Sequence, residues 1–139
     1  MTRIEVTRDI ATCQRLRRMV FIEEQGVSEA DEVDGLDDQA IHLLAWDGEV
    51  PVGTARLLLK GATGKIGRVC VLAQARSTGL GAELIRTALG VLKGQPGVTE
   101  AYLGSQSHAT GFYEKLGFTV EGEEFLDAGI PHRHMRRPL

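Results

Sequence analysis

The chain has 139 residues, of which 42% are hydrophobic and 25% charged, the size and composition of one self-sufficient domain spanning residues 1–139. A formal net charge of −3 argues against nucleic acid as the ligand, because neutralising phosphates needs a basic surface. Two cysteines, no apolar leader in residues 1–5 and no apolar run near the ~20 residues of a membrane span give three expectations: reduced thiols, a cytoplasmic location and no membrane partner.

Residues 4–6 alternate and predict a first strand. Asp9 offers an N-cap, and Ile10, Cys13, Leu16 and Val20 follow at helical spacing, so an amphipathic helix is expected to about Gln25, stopped by Gly26. Residues 28–39 carry Glu29, Asp31, Glu32, Asp34, Asp37 and Asp38, a density of like charge that reads as a solvated loop or short helical turn. Residues 41–46 and 52–59 predict strands joined at Asp47-Gly48, and residues 66–72 a further strand after a turn over 61–64.

The period then changes. Leu80, Leu84, Ile85, Ala88 and Leu92 share one helical face, and the glycines and proline of residues 94–97 end that helix. Strands are expected at 101–103, starting at 118–120 and at 132–136, with a short helix over 110–116 stopped by Gly117. The order β-α-loop-β-β-β-α-β-α-β-β predicts an α/β chain, a mixed sheet with helices on both faces.

Arg76-Ser77-Thr78-Gly79-Leu80-Gly81 lies between a strand and a helix. A helix N-terminus there has unpaired N–H groups and partial positive charge, glycines admit a phosphate to the backbone, and Arg76 adds a guanidinium. A dinucleotide fingerprint fails at Leu84, and a P-loop fails because Gly64-Lys65 is followed by Ile66.

Arg76-x-x-Gly79-x-Gly81 after a strand resembles the pyrophosphate-binding signature of the GNAT acetyltransferases. Phe112-Tyr113-Glu114-Lys115-Leu116-Gly117-Phe118 resembles that family's helix-to-strand segment. Val20-Phe21-Ile22-Glu23-Glu24-Gln25, Glu121-Gly122-Glu123-Glu124-Phe125 and Gly129-Ile130-Pro131-His132 are similar to the ElaA-like branch of small bacterial members. Ser77 stands where the superfamily often has glycine. The resemblance implies a mostly antiparallel central sheet of about six or seven strands and acetyl-CoA as cosubstrate. It also implies that the amides of Arg76, Ser77, Thr78, Gly79, Leu80, Gly81 and Ala82 hold the pyrophosphate. The strand end at Cys70 and Val71 would splay from its neighbour and polarise the acyl carbonyl, Gln106 and Phe112 would face the cofactor, and Tyr113 would lie near the sulfur.

Such a constellation suits acyl transfer. A fixed N–H stabilises charge on the thioester oxygen, and a phenol can protonate the leaving thiolate, which makes Tyr113 the general-acid candidate. An attacking amine must lose a proton. Glu23, Glu24, Asp34, His42 and His132 are candidates to receive it, with Glu24 and His132 preferred. The acidic run near Asp34 could attract a cationic acceptor, though a solubilising loop is the simpler reading. His132 and His134 would share a strand face, but no cysteine or carboxylate at ligand spacing accompanies them, so no metal is expected. Cys70, in an apolar setting, is expected to be inert. The expected reaction is N-acetylation of a small-molecule or peptide amine. A non-catalytic acyl-CoA-binding module, or transfer to an unusual nucleophile as in acyl-homoserine-lactone synthases, is the alternative. A homodimer, if formed, is expected through the C-terminal strands.

Overall fold

The computed structural model describes residues 2–139; Met1, part of the predicted leader-free N-terminus, lies outside them. Seven strands form one sheet: β1 (Thr2–Thr7), β2 (Ile41–Asp47), β3 (Val50–Lys60), β4 (Thr63–Val71), β5 (Glu100–Gln106), β6 (Thr119–Asp127) and β7 (Ile130–Pro138). Their spatial order is β1-β2-β3-β4-β5-β7-β6, and every neighbouring pair is antiparallel except β4–β5. The mixed, mostly antiparallel sheet expected from the sequence is present, with helices on both faces.

Asp9 caps α1 (Ile10–Arg17): its carboxylate accepts from the Thr12 amide at 3.1 Å and from the Thr12 hydroxyl at 2.6 Å. The helix then widens. Residues Arg18–Glu24 form π-helical turns, with Gln25 N–H donating to the Val20 carbonyl, before Gly26 ends it at φ 73°. Each wide turn takes an extra residue, so Val20 is buried against the sheet while Phe21 and Gln25 also reach it.

α1 packs on β2, β3 and β4, closing a small core of Cys13, Leu16, Val20, Leu44, Cys70 and Leu72. On the opposite face α3 (Leu80–Lys93) presents the predicted stripe of Leu80, Leu84, Ile85, Ala88 and Leu92 to the larger core, and α4 (Thr110–Glu114) packs on β5 and β6. Gly64 on β4 sits directly under Leu92; a Cβ there would fall 2.3 Å from its methyl carbon. On the α1 face, among the described residues, α1 packs over β2, β3 and β4, leaving the β5-β7-β6 half largely open, and that half carries Tyr102, Gln106, His132, His134, Arg136 and Glu121 in register.

Of the two readings of the acidic run, the short helical turn is present and the solvated, merely solubilising loop is corrected. The run holds α2 (Glu29–Glu32), and three of its carboxylates meet three arginines from the apolar elements beneath. Arg17, 1% exposed, grips Glu32 through Nε (3.0 Å) and Nη2 (2.8 Å) and Asp37 through Nη1 (2.8 Å). Arg56 forks onto Asp34 at 2.8 and 2.7 Å and touches Asp37 at 3.1 Å. Arg68 reaches Glu32 and Asp34, each at 3.3 Å. The charges cancel in place, which is why Glu32 tolerates 4% exposure. Only Glu29, Asp31 and Asp38 keep the solvated role.

Candidate functional site

The site begins where two parallel strands part. β4 and β5 pair over three positions, Thr63↔Glu100, Gly64↔Ala101 and Lys65↔Tyr102. Beyond them β4 bulges: its register against β3 slips by one between Thr54↔Cys70 and Arg56↔Gly67, with Arg68 left-handed at φ 51°. The extra residue bends β4 away, while β5 stays paired with β7 to Gln106. A V-shaped gap opens between the facing edges. Leu72 N–H donates to the Val52 carbonyl of β3 at 2.8 Å, so strand alternation turns the peptide groups of Val71 the other way, into the gap. The Val71 carbonyl accepts there from Arg76 Nε at 3.0 Å.

A cleft of about 340 Å3 runs through the gap, lined among others by Phe21, Gln25, Arg68, Gln106, Tyr113 and His132. A more open recess of about 600 Å3 adjoins it above Cys70, Val71, Arg76 and Gln106. The predicted turn lies at its edge. Ser77 and Gly79 are left-handed at φ 63° and 86°, and Gly79 caps α3. A left-handed L-residue costs roughly 1–2 kcal/mol, a strain that Ser77 carries and Gly79 avoids. The amides of Leu80, Gly81 and Ala82 have no protein partner among the described residues and point outward from the helix start. The Thr78 hydroxyl donates to the Ala75 carbonyl at 2.6 Å and pins the turn. Phe112, 39% exposed, lies against Gly81, where a Cβ would meet its ring at 3.5 Å. The unpaired amides, glycine backbone and guanidinium together fit an anionic phosphate group.

Tyr113 lines the cleft from the α3 face, held edge-on by Phe112 (4.9 Å) and Phe118 (6.0 Å). Burial pushes its phenol up to about 12, so it keeps its proton at neutral pH. Cys70 is buried among apolar side chains, and burial pushes its thiol up to about 12 as well; it is a packing residue with no nucleophilic thiolate. Gln106 is held by its amide, which donates to Gln25 Oε1 at 3.1 Å, and by His108, 2.8 Å from its oxygen.

The proton-acceptor candidates separate. His132 lies in the cleft wall. Its Nδ1 stands 2.7 Å from the Ile130 carbonyl, which can only accept, so Nδ1 carries the hydrogen and Nε2 keeps its lone pair. Glu24 edges the recess, but its carboxylate is engaged by Arg76 at 2.7 Å, and hydrogen bonding from that guanidinium lowers its proton affinity. Asp34 is committed to Arg56 and Arg68. His42 is buried beneath the acidic loop with Nε2 on the Asp37 carbonyl, and Glu23 is exposed; neither lines the cleft. The sequence reading missed Tyr102, Phe125 and His134, which also line it. Their signal was period two, with His132 and His134 on one strand and Tyr102 on its neighbour.

Comparison with known proteins agrees with this geometry. The family model described as an acetyltransferase (GNAT) domain matches residues 17–139. The chain belongs to the GNAT acetyltransferase family. Among GNAT relatives it is 42% identical over 123 residues to the uncharacterized N-acetyltransferase YjcF of Bacillus subtilis, covering 88% of this chain and 87% of that one. The crystal structure of Escherichia coli ElaA superposes with a TM-score of 0.87 at 28% identity, covering 99% of each chain. An acyl-CoA N-acyltransferase from Pseudomonas aeruginosa superposes at 0.84 and 33% identity, covering 99% of this chain and 98% of that one. No group of three or more histidine, cysteine, aspartate or glutamate residues placed to hold a metal occurs among the described residues of this GNAT chain.

Proposed function

We propose that this GNAT protein, acting as one domain, transfers an acetyl group from acetyl-CoA to a primary amine by direct attack. The observation that carries the reading is the parting of β4 and β5, with Val71 and Arg76 at the open recess, the bare amides at the start of α3 following Arg76 in the chain, and Tyr113 in the adjoining cleft. The likeness to an acyl-CoA N-acyltransferase at 33% identity supports it.

In this reading the amides from Arg76 to Ala82 hold the pyrophosphate, and Arg76 exchanges its Glu24 carboxylate for phosphate oxygen. Glu24 then acts as the counter-charge that orients Arg76 rather than as the base. Cys70 and Gln106 flank the pantetheine arm, Phe112 packs beside it, and the Val71 amide donates to the thioester oxygen as charge builds there. The amine nitrogen forms the C–N bond and gives its proton to His132 Nε2. The C–S bond breaks with its electron pair on sulfur, and Tyr113 protonates that sulfur. A phenol pushed to about 12 is a weak donor in water, but the buried wall that raises it also destabilises a thiolate beside it, which keeps the two matched. Transfer of the proton from His132 to Tyr113 through solvent resets the site.

The test pairs binding with turnover. Calorimetric titration should show micromolar acetyl-CoA binding that ATP does not reproduce. Tyr113→Phe should lower kcat by roughly a hundredfold or more with CoA affinity unchanged. Gly79→Pro cannot adopt φ 86° and should lose CoA binding while remaining folded by circular dichroism. Absent acetyl-CoA binding at millimolar concentration overturns the reading; binding without turnover of any amine leaves an acyl-CoA-binding module.

A further inference from the structure

The largely open half of the sheet carries a second imidazole that the reaction above does not use. His134 pairs with Gly104 across β5–β7 and with Glu121 across β7–β6, and its ring stacks on Phe125 at 4.0 Å and 17°. Gly104 lies beneath the Phe125 ring, where a Cβ would stand in van der Waals contact at 3.4 Å. His134 Nδ1 is hydrogen-bonded to the Tyr102 hydroxyl. Tyr102 is held above its ordinary proton affinity by burial and by the Glu121 charge, so it stays a neutral phenol. A phenol is a better donor than an imidazole N–H, and an imidazole nitrogen a better acceptor than a phenol oxygen. The shared hydrogen therefore sits on Tyr102, and His134 carries its own hydrogen on Nε2. Arg136 stacks over Tyr102 and pairs with Glu100 and Glu121, and the Glu121 carboxylate also feels the charge of its cross-strand neighbour His134.

His132 has the opposite tautomer, fixed by the Ile130 carbonyl. Two residues apart on β7, the imidazoles share one face at a backbone spacing of roughly 7 Å. Both line the cleft, and neither Nε2 has a protein partner among the described residues. The wall thus offers one lone pair and one N–H side by side.

We propose that this pair sets acceptor specificity. His132 Nε2 receives the amine, while His134 Nε2–H, oriented by Tyr102, donates to an oxygen a few bonds away on the same molecule. The acceptor class is a primary amine bearing a nearby hydroxyl or carbonyl, rather than a plain alkylamine. The inference rests on the acetyltransferase reading and deepens it.

Thiol release from acetyl-CoA, measured with 2-aminoethanol against ethylamine and 3-amino-1-propanol against propylamine, tests it. The oxygen-bearing amine of at least one pair should show kcat/KM about tenfold or more above its partner, the worth of one made hydrogen bond. His134→Leu should abolish that preference while leaving the alkylamine rate within about twofold, and His134→Gln, which keeps an N–H near the Nε2 position, should restore part of it. Tyr102→Phe, which frees the tautomer, should shrink the preference through KM with kcat held. Thermal melts of the three variants separate these effects from unfolding. Turnover of amines without preference in the parent protein, or a preference untouched in His134→Leu, overturns this inference alone. Acetyl-CoA binding with no turnover of any amine overturns the transferase reading and this inference with it.

Discussion

Single residues decide how the acidic segment behaves. Arg17 occupies the buried stripe of α1, four residues after Cys13 and three before Val20, so a guanidinium enters the core only because Glu32 and Asp37 come in with it. Arg56 and Arg68 likewise interrupt apolar strands. Those three cations in apolar settings were the sequence signal that the acidic run is paired, and composition alone concealed it. Arg17→Met leaves Glu32 buried without its main partner and should cost about 3–5 kcal/mol in denaturant unfolding. Arg3→Ala breaks an exposed pair with Glu5 and should cost under about 1 kcal/mol. Similar losses from both variants would mean that the network is solvated and carries no special weight. At the cleft, the turn from Arg76 and the position of Tyr113 were legible because a glycine pattern and an aromatic run have local causes. The engagement of Glu24 with Arg76, across 52 residues of sequence, had none.

At the scale of elements, helices and apolar strands were read well because burial writes its period into the sequence. β6 was read from its start at residues 118–120 with no end marked; it runs to Asp127, and Glu121, Glu123 and Glu124 leave no apolar alternation to mark that stretch. The π-helical end of α1 was also invisible, as a wide turn needs no special residue. The segment from α2 to β2 has its own pH dependence. Hydrogen bonding from Arg56 holds the Asp34 carboxyl at about 2, and although burial alone would raise Asp37, hydrogen bonds from Arg17, Gln14 and Arg56 bring it below the usual carboxylate range. Both folded values lie below the unfolded value of about 3.8, so the stabilisation is fully present above pH 4 and disappears as pH falls through 2. Melting temperature should therefore drop steeply between pH 4 and pH 2, and Asp34→Asn should flatten part of that slope. A melting temperature constant down to pH 2 would show that the carboxylates are not engaged in solution.

For the whole molecule, element order and motif spacing sufficed to name a family, because both survive in the linear chain. The parting of β4 and β5 did not show, since it depends on a bulge at Arg68 and on which strands lie side by side. That parting also bears on mechanics. α3 is packed on β1 to β4 and α4 on β5 and β6, and among the described residues the ladder joining the two groups is three rungs long. The two halves share one apolar core on the α3 face but are held edge to edge by that short seam, so a ligand filling the gap above it would act as a staple between them. Acetyl-CoA bound as proposed should therefore slow amide hydrogen exchange through β5 and β7 beyond Gln106 and His132, as well as along β4. Protection confined to β4 and the start of α3 would mean that the halves are already rigid without it. If the staple holds and acetyl-CoA is the cosubstrate as proposed, resistance to opening follows the acetyl-CoA supply, and a cell short of acetyl groups would present this chain to its proteases in the looser form.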